Sequence, residues 1–204
     1  MSTPVYLEVG SKRVFACSVD WPGWARAAKT EEEALEALGV YAGRYRPVAE
    51  AAGVRFPKSA GDDFEVVETV KGDATTDFGA PSQWIAADAA PLTKAQAERL
   101  ASLVEGAWTV FDDVRKKSPA ELRKGPRGGG RDRDKMVAHV VDAEGAYFRK
   151  VGVKDGREAF LGGLRAAREP QPQLKTKTWP WRYTARRVAW HALDHAWEME
   201  DRSA

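Results

Sequence analysis

The chain has three histidines, and two of them, His191 and His195, stand four residues apart in a stretch whose apolar residues recur at helical spacing. Four residues rise about 6 Å and nearly complete a turn, so both imidazoles project from one face at a separation that one metal ion can bridge. His139 falls between Met136 and Val140 in the apolar stripe of another predicted helix, and Val188, Ala192 and Met199 flank the pair in its own. All three are therefore expected to point toward a core. A buried imidazole needs a partner, and a shared cation supplies one to three rings at once. Three nitrogen ligands with an open fourth position is the arrangement of catalytic zinc, the first candidate; nickel, iron or manganese accept the same donors. Core histidines without a metal can show the same spacing, since a lone His-x-x-x-His is a weak motif. The single cysteine, Cys17, excludes an intrachain disulfide and any cysteine-rich zinc site.

Other groups gather around these three. Glu198 follows His195 by three residues and His191 by seven, which suits a fourth ligand, an acceptor for an imidazole N–H or a general base, and equally a solvated glutamate near a helix end. Asp194, beside the pair, and Asp142, three residues after His139, are further carboxylates near that face. Lys135 and Arg187 each precede a histidine by four residues, and a cation in the first turn of a helix opposes the dipole. Either an anionic substrate or an ion pair would compensate. Trp108, Trp190 and Trp197 can line a substrate site or fill the core. Arg127 to Arg133 reads as a phosphate contact or a short solvated loop.

The elements that must position these groups fall into two sets. Val5 to Val9 and Arg13 to Val19 read as a hairpin, Asp20-Trp21-Pro22-Gly23 breaks the pairing, and Trp24 to Ala28 resumes it. Thr30 and Glu33 form a capping box for a helix expected over Glu31 to Tyr45 and stopped by Pro47, and Phe64 to Val70 is a last strand. Residues 73–91, rich in Gly, Pro and small polar side chains, read as a linker between a domain at 1–72 and another at 92–204. Beyond them the pattern is helical. Thr93 and Gln96 cap one helix, Asp132 begins a second, Asp155 to Arg168 is a third and Thr184 to Asp201 a fourth. In a simple up-and-down bundle the second and fourth run parallel, which puts Lys135 and Arg187 at one end of the site; a crossing connection between Glu169 and Tyr183 would separate them and leave Arg187 alone.

The segment from Arg133 to Tyr147, containing His139, together with Arg186 to His195, resembles the DinB-like (DinB/YfiT-type) superfamily of four-helix-bundle metalloproteins. The resemblance covers roughly residues 92–204 and implies that His139, His191 and His195 bind a divalent metal. Characterised members include transferases that join low-molecular-weight thiols to electrophiles and mycothiol-dependent isomerases. Val19 to Trp24, followed by Lys29 to Leu35, is similar to the HicB-type fold of antitoxins, although Trp24 and Ala28 stand where that family has a small residue or cysteine and a glycine. The expected fold is thus α+β, a HicB-like domain followed by a DinB-like bundle. The implied function is metal-assisted attack of a thiol or water on a small electrophile. A non-catalytic protein that binds a small molecule or metal is the alternative, and an antitoxin-like interaction module a third reading.

Composition narrows the partners. Among 204 residues, 32 basic and 30 acidic side chains leave a net charge of only +2, which argues against a dedicated nucleic-acid binder. No apolar run reaches the roughly 18 residues of a membrane span, and Met1 to Gly10 is too polar for a signal peptide, so a cytoplasmic protein acting on a small, anionic substrate is expected. Its first domain is free to pack or to form a homodimer.

Overall fold

The computed structural model describes residues 2–125, 129–169 and 177–203; Arg127 and residues 170–176 of the last long connection lie outside the described residues. The chain is α+β. Strands β1 (Thr3–Val9), β2 (Val14–Ser18), β3 (Ala25–Ala28) and β4 (Phe64–Lys71) form a mixed sheet in the order β3-β2-β1-β4. The β1–β2 and β2–β3 pairs are antiparallel, whereas β1 and β4 are parallel. A parallel pair needs a crossover, and helices α1 (Glu31–Val40) and α2 (Ala42–Ala51) supply it.

Both faces of β1 and β2 are covered, which is why these strands alternate only partly in polarity, while the edge strand β4 stays largely exposed. Val5, Leu7, Val14 and Ala16 join the main core with Trp24, Leu38, Tyr45 and the helices. On the other face Tyr6, Phe15 and Cys17 meet Ile85 and Trp190.

Thr30 and Glu33 form the expected capping box of α1, but the helix does not run unbroken to Tyr45. The chain turns at Tyr41 and restarts as α2, with Pro47 inside it. A proline has no N–H for the residue four before it and crowds that carbonyl, here Gly43 in the first turn of the restarted helix. Helical periodicity does not register this turn, because Leu38 before it and Tyr45 and Val48 after it are all buried.

The C-terminal part holds α4 (Lys94–Lys117), α5 (Arg133–Arg149), α6 (Gly156–Ala166) and α7 (Trp181–Ser203). Thr93 and Gln96 cap α4 as expected. Asp132 takes the cap position of α5, yet its carboxylate accepts from Leu122 N and Lys124 Nζ instead of the helix. The expected up-and-down order is not found. Trp179 N donates to Lys150 O, and Arg202 reaches back to Arg123 O, so α7 begins where α5 ends and the two run antiparallel. Glu144 with Arg157 and Phe148 with Phe160 show α5 and α6 running in the same direction.

Residues 73–91 are more than a linker. They carry a short helix, α3 (Ala74–Phe78), and a 3-10 turn at Ala86–Ala89. Ser82 N and Gln83 N donate to the buried Glu8 of β1, and Asp88 receives both terminal nitrogens of Arg186 on α7, at 2.7 and 2.5 Å. The sheet and α7 also meet directly. Gly23, at φ 92°, lies so close to α7 that a Cβ there would stand 2.7 Å from Leu193 Cδ1 and 2.9 Å from the Ala189 carbonyl carbon. Arg26 pairs with Asp194, and Arg44 with Glu200 and Asp201. Among the described residues, no helix is long and apolar enough to cross a membrane.

Asp88 has no exposed surface and Arg186 is 6% exposed, so Asp88→Ala would strand a buried guanidinium. The expected cost is about 3–5 kcal/mol. Urea unfolding should show it as a lower midpoint; a loss under about 1 kcal/mol, the worth of an exposed pair, would contradict it.

Candidate metal centre

Residues on two antiparallel helices build the site. His191 and His195 lie one turn apart on α7, and His139 approaches them from α5. The ring centroids are 5.0 Å apart for His139 and His191, 5.2 Å for His139 and His195, and 4.7 Å for His191 and His195, all edge to face. One nitrogen from each ring lies within 4.8 Å of the other two. Zn–N bonds of about 2.0–2.1 Å in a tetrahedron require nitrogens roughly 3.3 Å apart, so inward shifts of about 1 Å per ring complete the geometry.

The donor set fits a cation on one further observation. His191 is buried, 6% exposed, and its Nδ1 has no hydrogen-bond partner among the described residues. An unpaired buried nitrogen is costly, and coordination of the ring is one way to offset that cost. Burial, then the neighbouring His195 and Arg187, push the His191 pKa down to about 2. His139 is lowered as well, by burial and then by Arg131. Both are therefore neutral at pH 7, the form that binds metal.

Glu198 takes one of its three expected roles in this geometry. Protonated at Nδ1, His195 donates to Glu198 Oε2 at 3.0 Å and keeps Nε2 free as a ligand. Arg202 Nη1 donates to the other oxygen at 2.7 Å. The hydrogen bond from His195 outweighs burial, and with Arg202 it holds the Glu198 carboxyl below its ordinary pKa. Each Glu198 oxygen thus accepts one hydrogen bond, the acceptor role among those the sequence allows. Asp194 is turned to the sheet, where Arg26 Nη1 donates to it at 3.1 Å. Asp142 is exposed beside His139.

Of the two arrangements open to the cations the separated one is found, because α5 and α7 are antiparallel. Lys135 is exposed at the end nearest Arg202. Arg187 lies at the other, its guanidinium 5.2 Å from the Tyr147 ring and 4.8 Å from the Trp190 ring, with Nη1 donating to Pro81 O at 2.7 Å. Among the described residues no carboxylate lies within ion-pair distance of it. Trp108 is not at the site. It packs on Phe148 and Phe160 beneath Arg157, and Phe148 is nine residues, about 13 Å, along α5 from His139. Trp197 packs in the core against Tyr41, while Trp190 covers the sheet with one edge and meets His191 at 6.0 Å.

Sequence reading missed Tyr147 and Trp179. Tyr147 sits 5.7 Å from His191 and stacks loosely on Trp179. Its position eight residues after His139, two turns along the same face, was a signal; Trp179, outside any helix, left none. No protein-family model, no curated protein and no solved structure matches this chain.

Elemental analysis should find metal in the native protein and sharply less in His139→Ala, which removes the ligand from α5; full stoichiometry in the variant would dismiss the triad. A second outcome concerns acid. Without metal, His191 has a folded pKa near 2 against about 6.5 when unfolded, so the unfolded chain binds the proton first. The stability of the chelated protein should be fully present above pH 6.5 and fall as pH drops toward 2. His191→Gln should flatten that slope in urea titrations, and an unchanged slope would show that the acid sensitivity arises elsewhere.

Proposed function

We propose that this chain holds a divalent metal on His139, His191 and His195 and uses it in attack by a low-molecular-weight thiol or water on a small electrophile, thiol transfer being the sharpest form. The observation that carries the reading is the meeting of three imidazoles from two helices, one of them buried with an unpaired nitrogen. Bound there, the cation would lower the pKa of a thiol or water in its remaining position and so supply a nucleophile near neutral pH.

The protein's own groups do the positioning. Glu198 fixes the tautomer of His195, and Arg202 fixes Glu198, the outer support that metal-ligating histidines ordinarily have. Tyr147 packs edge-on against His191. Arg187, one turn from His191 and without a carboxylate partner among the described residues, offers a planar fork to an anionic substrate, which favours the substrate reading of this cation over the ion-pair one.

The test is turnover of L-cysteine with 1-chloro-2,4-dinitrobenzene, and of water with an activated ester, by native, chelated and reloaded protein. Acceleration should vanish on chelation and return with metal. Glu198→Gln should weaken metal affinity or rate about 10–100-fold. Full metal occupancy with no acceleration of either reaction would instead favour a non-catalytic binding protein.

A further inference from the structure

Several partly buried arginines of this protein meet a carboxylate, although Arg187 and Arg46 do not among the described residues. Arg26 has Asp194, Arg44 has Glu200 and Asp201, Arg157 has Glu144 and Asp112, and Arg202 has Glu198. Arg99 on α4 and Arg182 on α7 do not, among the described residues, and both line one cleft of about 480 Å³ where the sheet meets α4 and α7. The cleft is separate from the histidines, since Arg182 precedes His191 by nine residues, about 13 Å along the helix.

Carbonyl oxygens hold both guanidiniums in place. Arg99 Nη1 donates to Asp20 O at 2.6 Å while its guanidinium lies 4.4 Å from the centre of the Trp21 ring. Arg182 Nη2 donates to Pro91 O at 3.2 Å and to Gln96 Oε1 at 3.0 Å. These contacts orient the cations without neutralising them, and they leave most of the five donors of Arg99 unspent. Burial lowers the Arg182 pKa, and the more distant Asp88 and Asp20 offset this only in part. The one carboxylate lining the cleft is that of Asp20, which is exposed.

The remaining lining sets the ligand's size and character. Val19, Trp21 and Leu100 are apolar, while Ser2, Thr3 and Ser59 bring hydroxyls. A volume of 480 Å³ lies within the roughly 300–1,000 Å³ of small-molecule sites, far larger than an inorganic ion needs. We propose that this cleft binds a small organic anion, its carboxylate or phosphate held between Arg99 and Arg182 and its apolar part laid against Trp21 and Leu100. The site does not depend on the metal. It joins the sheet to the helix that carries two histidines, so its ligand bridges the two parts of the chain.

Calorimetric titration of the native, metal-loaded protein tests this with four probes: benzoate, phenyl phosphate, inorganic phosphate and benzyl alcohol. One of the two aromatic anions should bind at least roughly tenfold tighter than inorganic phosphate and than benzyl alcohol, and the tighter of the pair identifies the anionic group. Arg99→Ala and Arg182→Ala should each weaken it about tenfold or more, whereas Arg165→Ala, which removes an equal charge from a surface pair with Glu98 and Glu105, should not. Arg99→Lys, which keeps the charge and loses the fork, should restore only part of the affinity. In the unmodified protein the indole N–H resonance of Trp21, assigned with Trp21→Phe, should shift on binding. Equal binding of benzyl alcohol, no saturable binding of either aromatic anion, unchanged affinity in both arginine-to-alanine variants, or a shift of Trp190 in place of Trp21 would each overturn the proposal.

Discussion

The buried pair between Arg186 and Asp88 sets the rotation of α7, and the histidine site follows from that rotation. Removing a guanidinium and a carboxylate from water costs several kcal/mol per ion, recovered only when the geometry is good. Here it is bidentate, and Asp88 also accepts from Ile85 N at 2.8 Å while Arg186 lies over the Tyr6 ring at 5.2 Å. Burial alone would lower the Arg186 pKa; Asp88 reverses this and holds it above its ordinary value. The guanidinium therefore keeps its charge, and the bidentate contact fixes it. At about 100° per residue, Trp190 lies about 40° round the helix from Arg186 and Leu193 about 20°, so all three face the sheet. His191 and His195 then fall about 140° and 180° away, on the side where α5 brings His139.

That two-sided use of α7 accounts for its composition. Thirteen of its 23 residues are buried, too many for a helix with one apolar stripe and one solvated face. Ala185, Ala189 and Ala192 keep the helix narrow where neighbours come close. Gly23 fits against Ala189 and Leu193 only because it has no side chain, and its positive φ is accessible to glycine at no steric cost. The sheet thus serves as the second wall of the helix that carries His191 and His195, and Arg26, Arg44 and the 3-10 turn at Ala86–Ala89 lock that wall in place.

The parts legible in the sequence are those that local chemistry decides. His191 and His195 share a face because four residues make about one turn, and Thr30 with Glu33 and Thr93 with Gln96 cap helices because the hydrogen bonds close within four residues. What escaped was decided at long range. The direction of α7 depends on where the connection after α6 leads, which no local pattern encodes, so whether Lys135 and Arg187 share an end stayed open in the sequence. The second buried face of the sheet was hidden because its cover, Ile85 and Trp190, lies 60 or more residues further along the chain than Tyr6, Phe15, Cys17 and Ala25. Trp108 shows the limit of reading by residue type. An indole on an apolar stripe looks the same whether it faces a substrate or Phe160.

The charges around the triad work against protons without forbidding a metal. Arg187 and Arg131 both disfavour protonation of His191, and burial does so more strongly. A divalent cation would meet the same repulsion, yet it could bond the buried His191 ring, whose Nδ1 has no hydrogen-bond partner among the described residues. Glu198 adds the compensating charge on the far side of His195, where it steadies the ring without occupying the centre. The balance is that of a site that keeps His139 and His191 neutral at working pH and its nearest carboxylate occupied. An anion arriving beside it would find Arg187 fixed by Pro81 O and flanked by two aromatic rings, a cation already oriented before binding. Orientation fixed in advance lowers the entropy lost on association, which is how a single arginine on a small bundle can select a charged substrate.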